Sequence, residues 1–152
     1  MSQRRQLCTF YLEKFLFGVE VEKVQEIIRY QEMTRVPRAS AVIAGLINLR
    51  GQIVTAIDLR HQLHLAPREG DELPMNVVIR REDGPISLLV DEIGEVVEVD
   101  EQSFEPAPDT LQSQGGEFLR GVYKLREQLL LLLDTRTDGR EAERKKVGRE
   151  RS

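Results

Sequence analysis

The longest uninterrupted apolar run in this sequence is Leu129 to Leu133, and that brevity constrains the fold more than any other feature. Five residues are far short of the roughly 20 that cross a bilayer as a helix. They suit a strand buried on both faces, although leucine intrinsically prefers helix. The rest of the apolar content is broken in the same way. Leu7 to Leu12 is rich in strand formers, and Phe15, Phe17, Val19 and Val21 alternate with Leu16, Gly18 and Glu20, a period of two that reads as a strand. Glu13-Lys14 between these runs reads as a hairpin connection. Met75 to Arg80 and Ile86 to Val90 form a second hairpin around Glu82-Asp83-Gly84-Pro85, with Pro85 asking for more than a two-residue loop. Ile53 to Leu59, Glu95 to Val99, Phe118 to Lys124 and Leu129 to Asp134 complete the strand set.

Two segments carry helical spacing. Val24, Ile27 and Ile28 fall at i, i+3, i+4, which predicts a short amphipathic helix over Glu22 to Tyr30 with Gln25, Glu26 and Arg29 outward. Ser40 is a good N-cap, and Ile43, Leu46 and Ile47 supply the buried face of a second short helix over Ala41 to Ile47. Between them Met33 to Val36 reads as extended, ended by Pro37. Asn48-Leu49-Arg50-Gly51 is a turn in which Gly51 meets a need for positive φ, and Asp58 caps one helical turn through His61 and Leu63. Ala66 to Pro74 is a loop, Asp91 to Gly94 a bend, and Asp100 to Gly116 is irregular around Pro106-Ala107-Pro108. No repeat of 20 to 50 residues is present. Eight to ten short strands with little helix point to small β-barrels.

Composition then narrows the function. At 152 residues the chain can bury an apolar core in one domain or two very small ones. One cysteine, Cys8, and two histidines exclude a disulfide scaffold and a thiolate zinc module. Cys8 reads as a small buried hydrophobe. A net charge of -4 argues against nucleic acid as the main partner, because phosphate binding normally brings a basic surplus. From Arg136 to Ser152 seven basic residues face four acidic ones, leaving a body of -7 and a tail of +3. The tail has little to bury and reads as disordered or a loose helix, or as a basic docking tail. No signal-peptide core is present at the start, and the chain is expected to stay in the cytoplasm.

Catalytic equipment is sparse. His61 and His64, with Asp58, Glu69 and Asp71 nearby, are the best candidates for a small metal-dependent hydrolase, yet read more simply as a solvated or packed pair. Asp91-Glu92 follows an apolar strand, where acids can serve chemistry or simply cap a turn. Neither GxxxxGK[ST] nor GxGxxG occurs. The sequence asks for no cofactor. Arg50 stands out instead, in a turn between two apolar segments, where it can cap carbonyls, pair with an acid such as Glu26, or contact a partner.

The stretches Glu22-Lys23-Val24-Gln25-Glu26-Ile27-Ile28, Thr34-Arg35-Val36-Pro37, Gly45-Leu46-Ile47-Asn48-Leu49-Arg50-Gly51-Gln52-Ile53-Val54 and Ile57-Asp58-Leu59-Arg60 together closely resemble the CheW-like chemotaxis coupling domain. The likeness continues through Leu89-Val90-Asp91-Glu92-Ile93, Pro106-Ala107-Pro108 and Gly121. The resemblance implies a coupling domain over residues 6–135; beyond it the chain departs from the family's pattern, with the polar basic tail 136–152 in place of the C-terminal helix the family leads one to expect. It implies a mostly β fold of two small five-stranded SH3-like barrels packed around a shared core, with short helices. It implies a non-enzymatic, stand-alone adaptor, recruited to membrane-associated receptor arrays without inserting into the membrane. Its partners would be a CheA-type histidine kinase and the cytoplasmic helical hairpin of a chemoreceptor. On this likeness Val24, Glu26, Ile27 and Arg50 would line a receptor-facing groove between the barrels, with Val24 and Ile27 open to a purely core role. Pro37, Arg38, Asn48 and Leu49 would shape a kinase-facing end, and Gly45, Gly51 and Gly121 would be backbone requirements.

Overall fold

The computed structural model describes residues 3–107 and 118–135. The expectations for Pro108 to Gly116 and for the tail from Arg136 lie outside these described residues. The chain runs β1 (Arg4–Leu12), β2 (Phe15–Glu20), β3 (Val24–Ile28), β4 (Ile43–Leu49), β5 (Gln52–Asp58), α1 (Leu59–Gln62), β6 (Met75–Ile79), β7 (Ile86–Val90), β8 (Glu92–Asp100), β9 (Phe104–Pro106), β10 (Leu119–Lys124) and β11 (Leu129–Leu133). The strands form two sheets. One holds six strands in the order β8-β1-β2-β11-β10-β9, the other five in the order β3-β6-β7-β5-β4. In the first, the edge strands β8 and β9 are joined by the single 3-10 turn Glu101–Ser103, so its edges must meet. In the second, Glu26 on edge strand β3 bonds Arg50 in the turn after edge strand β4, and Thr34 pairs with Leu46, which brings its edges together too. These are the expected small barrels, with six strands in one and five in the other.

Period-two patterning explains how the barrels join. Along β1, Leu7 and Tyr11 pack in the first barrel's own core while Phe10 and Leu12 face the second barrel. In β2, Leu16 takes the first role and Phe17 and Val19 the second. Four of the five leucines of β11 divide likewise, Leu130 and Leu132 inward, Leu131 and Leu133 toward the partner barrel, while Leu129 at the strand's start is 52% exposed. A run with no polar face suits a strand covered on both faces along most of its length. From the other side, Ile57, Val77, Ile79, Ile86, Leu88 and Val90 complete the shared core, and Ile47, Leu49, Val54 and Val78 form the second barrel's own. Each fully buried side chain of this size contributes about 1.5–3 kcal/mol.

Both predicted helices are strands. Where Glu22 to Tyr30 was expected to be helical, the 3-10 turn Val21–Lys23 leads straight into β3, and where Ala41 to Ile47 was expected to be helical, β4 begins at Ile43. The reason is common to both. β3 carries a bulge between Val24 and Glu26, and β4 one between Ile43 and Gly45. An extra residue shifts the strand's parity by one, so residues three apart come to share a face. Val24 and Ile27 lie opposite Ile79 and Val77 on the shared-core side, and Ile28 lies opposite Asn76 on the other. Ile43, Leu46 and Ile47 repeat the pattern in β4. Ser40 still caps a turn there, its Oγ accepting from the Val42 amide at 3.3 Å. The bend expected at Asp91 to Gly94 is instead mostly strand, since β8 runs nine residues from Glu92. The segment after Asp100 contains the turn Glu101–Ser103 and the short β9. Asp58 caps α1 as expected, accepting from the His61 amide at 3.2 Å.

The chain passes between barrels twice, and an arginine-centred cluster holds each crossing. Leaving β2 for β3, the carbonyls of Glu22 and Val24 accept from Arg80 Nη1 at 3.1 and 3.0 Å. Returning from β7 to β8, Asp91 is held from both barrels. Arg60 grips it with Nε to Oδ1 at 3.0 Å and Nη2 to Oδ2 at 2.5 Å, and Arg68 Nη2 donates to Oδ1 at 2.7 Å. The Glu13 amide, in the β1–β2 turn, donates to Oδ2 at 2.7 Å. Burial works to raise the Asp91 carboxyl. The bonds from Arg60, the Glu13 amide and Arg68 outweigh it and bring the pKa down to about 2.

A carboxyl lowered in the folded state from 3.8 to about 2 stabilises the fold above pH 4, and that contribution drains away as pH falls toward 2. It amounts to about 2 kcal/mol. Urea unfolding at pH 7, 4 and 2.5 should show this loss in the unmodified protein. Asp91→Asn, less stable at pH 7 by about 2–3 kcal/mol because two guanidinium groups lose their counter-charge, should show a correspondingly shallower decline.

Candidate interaction surface

Arg50 and Gly51 form the two-residue turn between β4 and β5, with φ of 53° and 88°. Both values are positive, as a type I′ hairpin turn requires. Gly51 takes the conformation freely, and its amide donates to Asn48 Oδ1 at 2.9 Å. Arg50 does not, because a side chain in the left-handed region costs about 1–2 kcal/mol. Its guanidinium leaves the turn and meets Glu26 Oε1 at 2.5 Å, while the arginine side chain stays 69% exposed. Of the three roles open to Arg50 from sequence, the structure shows the pairing with Glu26.

A second arginine is held in the same way. Val36-Pro37-Arg38-Ala39 is a turn closed by the Ala39 amide on the Val36 carbonyl at 3.2 Å, with Arg38 at φ 64°. Proline at the second position and positive φ at the third define a type II turn, in which glycine or asparagine is the usual occupant of the third. Strained exposed arginines at two turn tips are outliers of the kind that accompany binding surfaces. Beside the second tip runs an open groove of about 670 Å³, walled by Tyr30, Met33, Val36, Ile43, Leu73 and Leu89.

The remaining candidates separate. Val24 packs against the shared core, whereas Ile27, on the same side of β3, is 38% exposed. Leu49 is buried in the second barrel's own core, so it supports the Arg50 turn from beneath. Pro37 and Asn48 are exposed. A Cβ on Gly45 would lie 2.9 Å from the Thr34 carbonyl oxygen, and one on Gly121 would lie 2.3 Å from that of Glu105, approaches that only glycine allows. His61 and His64 are exposed, and no group of three or more His, Cys, Asp or Glu among the described residues is placed to hold a metal ion. Cys8 is buried, and burial pushes its thiol pKa up, which suppresses the reactive thiolate. No helix among the described residues is long and apolar enough to cross a membrane.

Sequence reasoning missed Arg38's backbone strain, Arg60, Arg68 and the groove. Arg38 after Pro37 carried a readable signal, since a proline in a turn's second position raises the demand on the third. The groove depends on β4 being a strand, which the helix-like spacing of Ile43, Leu46 and Ile47 conceals.

Residues 6–137 match the family model of the CheW-like domain. The chain belongs to the CheW-like domain family. Among its relatives are the chemotaxis protein CheW of Treponema pallidum, 32% identical over 88% of this chain and 81% of the relative, and that of Bacillus subtilis, 32% identical over 78% and 76%. In three dimensions it matches the scaffolding protein TtCheW of Thermoanaerobacter tengcongensis with a TM-score of 0.80 at 25% identity, covering 88% of this chain and 91% of that one. The CheW-like fold accounts for the paired SH3-like barrels. These relatives are named for chemotaxis and scaffolding rather than for a reaction.

The strain at Arg50 gives a test independent of any partner. Arg50→Gly loses the exposed pair with Glu26, worth no more than about 1 kcal/mol, but relieves about 1–2 kcal/mol of left-handed strain. Arg50→Ala loses the pair and keeps the strain. Denaturant unfolding should therefore rank Arg50→Gly the most stable, the unmodified protein next and Arg50→Ala last.

Proposed function

We propose that this CheW-like protein is a non-catalytic chemotaxis adaptor that couples the cytoplasmic hairpin tips of chemoreceptors to a CheA-type histidine kinase. The observation that carries this reading is the near full-length similarity to proteins named chemotaxis protein CheW. The geometry supports it. Ile27 is exposed on the side of β3 that faces the junction of the barrels, and Glu26 and Arg50 form a fixed charged pair on the opposite face. Around the edge of β3, Ile27 offers an apolar contact and the Glu26–Arg50 pair a charged one to an amphipathic helical hairpin, a partner commonly held in a groove, while Val24 packs beneath them on the shared core. Pro37 and Arg38, with Asn48 and the underlying Leu49, form the kinase-facing end. The coupling domain spans 6–135, the polar tail 136–152 lies beyond it, and the protein works in the cytoplasm at membrane-associated receptor arrays. Coupling then consists of contacts that differ between two signalling states.

Co-sedimentation with a receptor cytoplasmic fragment and the cognate kinase tests the assignment. Arg50→Ala combined with Glu26→Lys should keep the β-rich circular dichroism spectrum while weakening receptor-dependent recovery about tenfold, the scale of a loss near 1–2 kcal/mol at an interface. Full recovery of the folded double variant would remove these residues from the receptor site.

A further inference from the structure

The shared core presses the barrels together but does not by itself fix how they are turned. Apolar burial is non-directional. The groups at the two crossings are directional, and they sit at opposite ends of β7. Arg80 follows Ile79, whose partner Ile86 begins β7, and Asp91 follows Val90, which ends it.

The two ends are not equivalent. Arg80 reaches two backbone carbonyls through one nitrogen. Asp91 receives five hydrogen bonds, four from the guanidinium groups of Arg60 and Arg68 and one from the Glu13 amide. Arg60 and Arg68 belong to the second barrel's α1 and the loop after it, and Glu13 to the first barrel's β1–β2 turn. The Asp91 amide also donates to the Tyr11 carbonyl at 3.0 Å. Arg60 is tied further, to the Ala66 carbonyl at 2.9 Å and to Glu13 Oε1 at 3.7 Å. The three charged side chains are only 11–15% exposed, so salt screens them little. A forked guanidinium on a carboxylate fixes direction as well as distance.

We infer that Asp91 is a positioning residue which, through Arg60 and Arg68, sets the angle between the two barrels and so the relative placement of the two partner-binding surfaces. This rests on the adaptor reading for its consequence, but its geometric half stands alone. With Asp91 neutralised, the barrels stay joined by the shared core and by the β2–β3 connection, which Arg80 holds against the second barrel, and turn about that remaining point.

The test places one spin label on each barrel, through Ile53→Cys and Val96→Cys, both on exposed side chains, with buried Cys8 left in place. Double electron–electron resonance should give a narrow distance distribution in the labelled parent. Asp91→Asn should broaden it by several ångströms. Arg60→Lys, which keeps the charge and loses the fork, should broaden it partway and decides the matter if Asp91→Asn fails to fold. Leu132→Val, a core change remote from the clamp, should destabilise the protein and leave the distribution narrow. In the functional arm, the clamp variants should bind receptor fragment and kinase separately to within about threefold of the parent, yet lose tenfold or more of receptor-dependent kinase stimulation. An unchanged distance distribution in the folded clamp variants overturns the inference. A broadened distribution with stimulation intact overturns its functional half. A labelled parent that binds neither partner refutes the adaptor reading, and the distance measurement still decides the geometry.

Discussion

Over Leu7–Leu12 of β1, Leu16–Val19 of β2 and Leu130–Leu133 of β11, both faces of the strand are covered. Because side chains alternate across a strand, these three offer one apolar row to their own barrel and another to its neighbour, and every larger feature of the molecule rests on that double burial. It makes two small sheets into one body. Neither sheet could cover its own outer apolar row, so Phe10, Phe17, Val19 and Leu133 require Ile57, Val77, Ile86 and Leu88 opposite them. At the rim of this junction stand directional charges, Asp91 with Arg60 and Arg68, where apolar contact alone has no preferred direction.

Among the described residues the buried polar side chains are few, and two of them pair with each other. Asn76 and Ser87 are fully buried on the central strands β6 and β7, where Ser87 Oγ donates to Asn76 Oδ1 at 2.7 Å and Asn76 Nδ2 reaches the Arg29 carbonyl at 3.1 Å. An unmet polar group there would cost about 1–3 kcal/mol. Satisfied, the pair fixes where the chain leaves β3 and enters the loop that carries Pro37 and Arg38. Glu20 plays a comparable part on the first barrel's surface, bridging Arg5 at 2.8 Å and Arg120 at 2.9 Å.

Much of this architecture was legible from alternation alone. The β1–β2 and β6–β7 hairpins, the late strands and the Asp58 cap follow from period-two patterning and turn chemistry. The two helical readings failed for one reason. A β-bulge moves the apolar rhythm by a residue, and over a few residues a strand with one bulge cannot be told from a helix by spacing alone. Glu26 with Arg50 was legible as one option among three. Arg60 and Arg68 converging on Asp91 was not, because the three are brought together only by tertiary structure, across a loop with no pattern of its own. The resemblance to the CheW-like family supplied the barrel architecture that strand counting could only suggest.

The order of strands in the first barrel bears on how the molecule assembles. Its β2 pairs in parallel with β11, Leu16 beside Leu130, so its sheet is built from the two ends of the described chain, while the second barrel draws all its strands from the stretch between. During synthesis the second barrel can form as soon as β7 has emerged, from contacts that are comparatively local. The first must leave β1 and β2, with their two apolar faces, waiting for β11. Long-range parallel pairing of this sort is slow, and apolar strands left open meanwhile invite aggregation. The stretch of chain most exposed to misassembly is thus the N-terminal hairpin, and the residues that end its exposure are Leu130, Leu131 and Leu132.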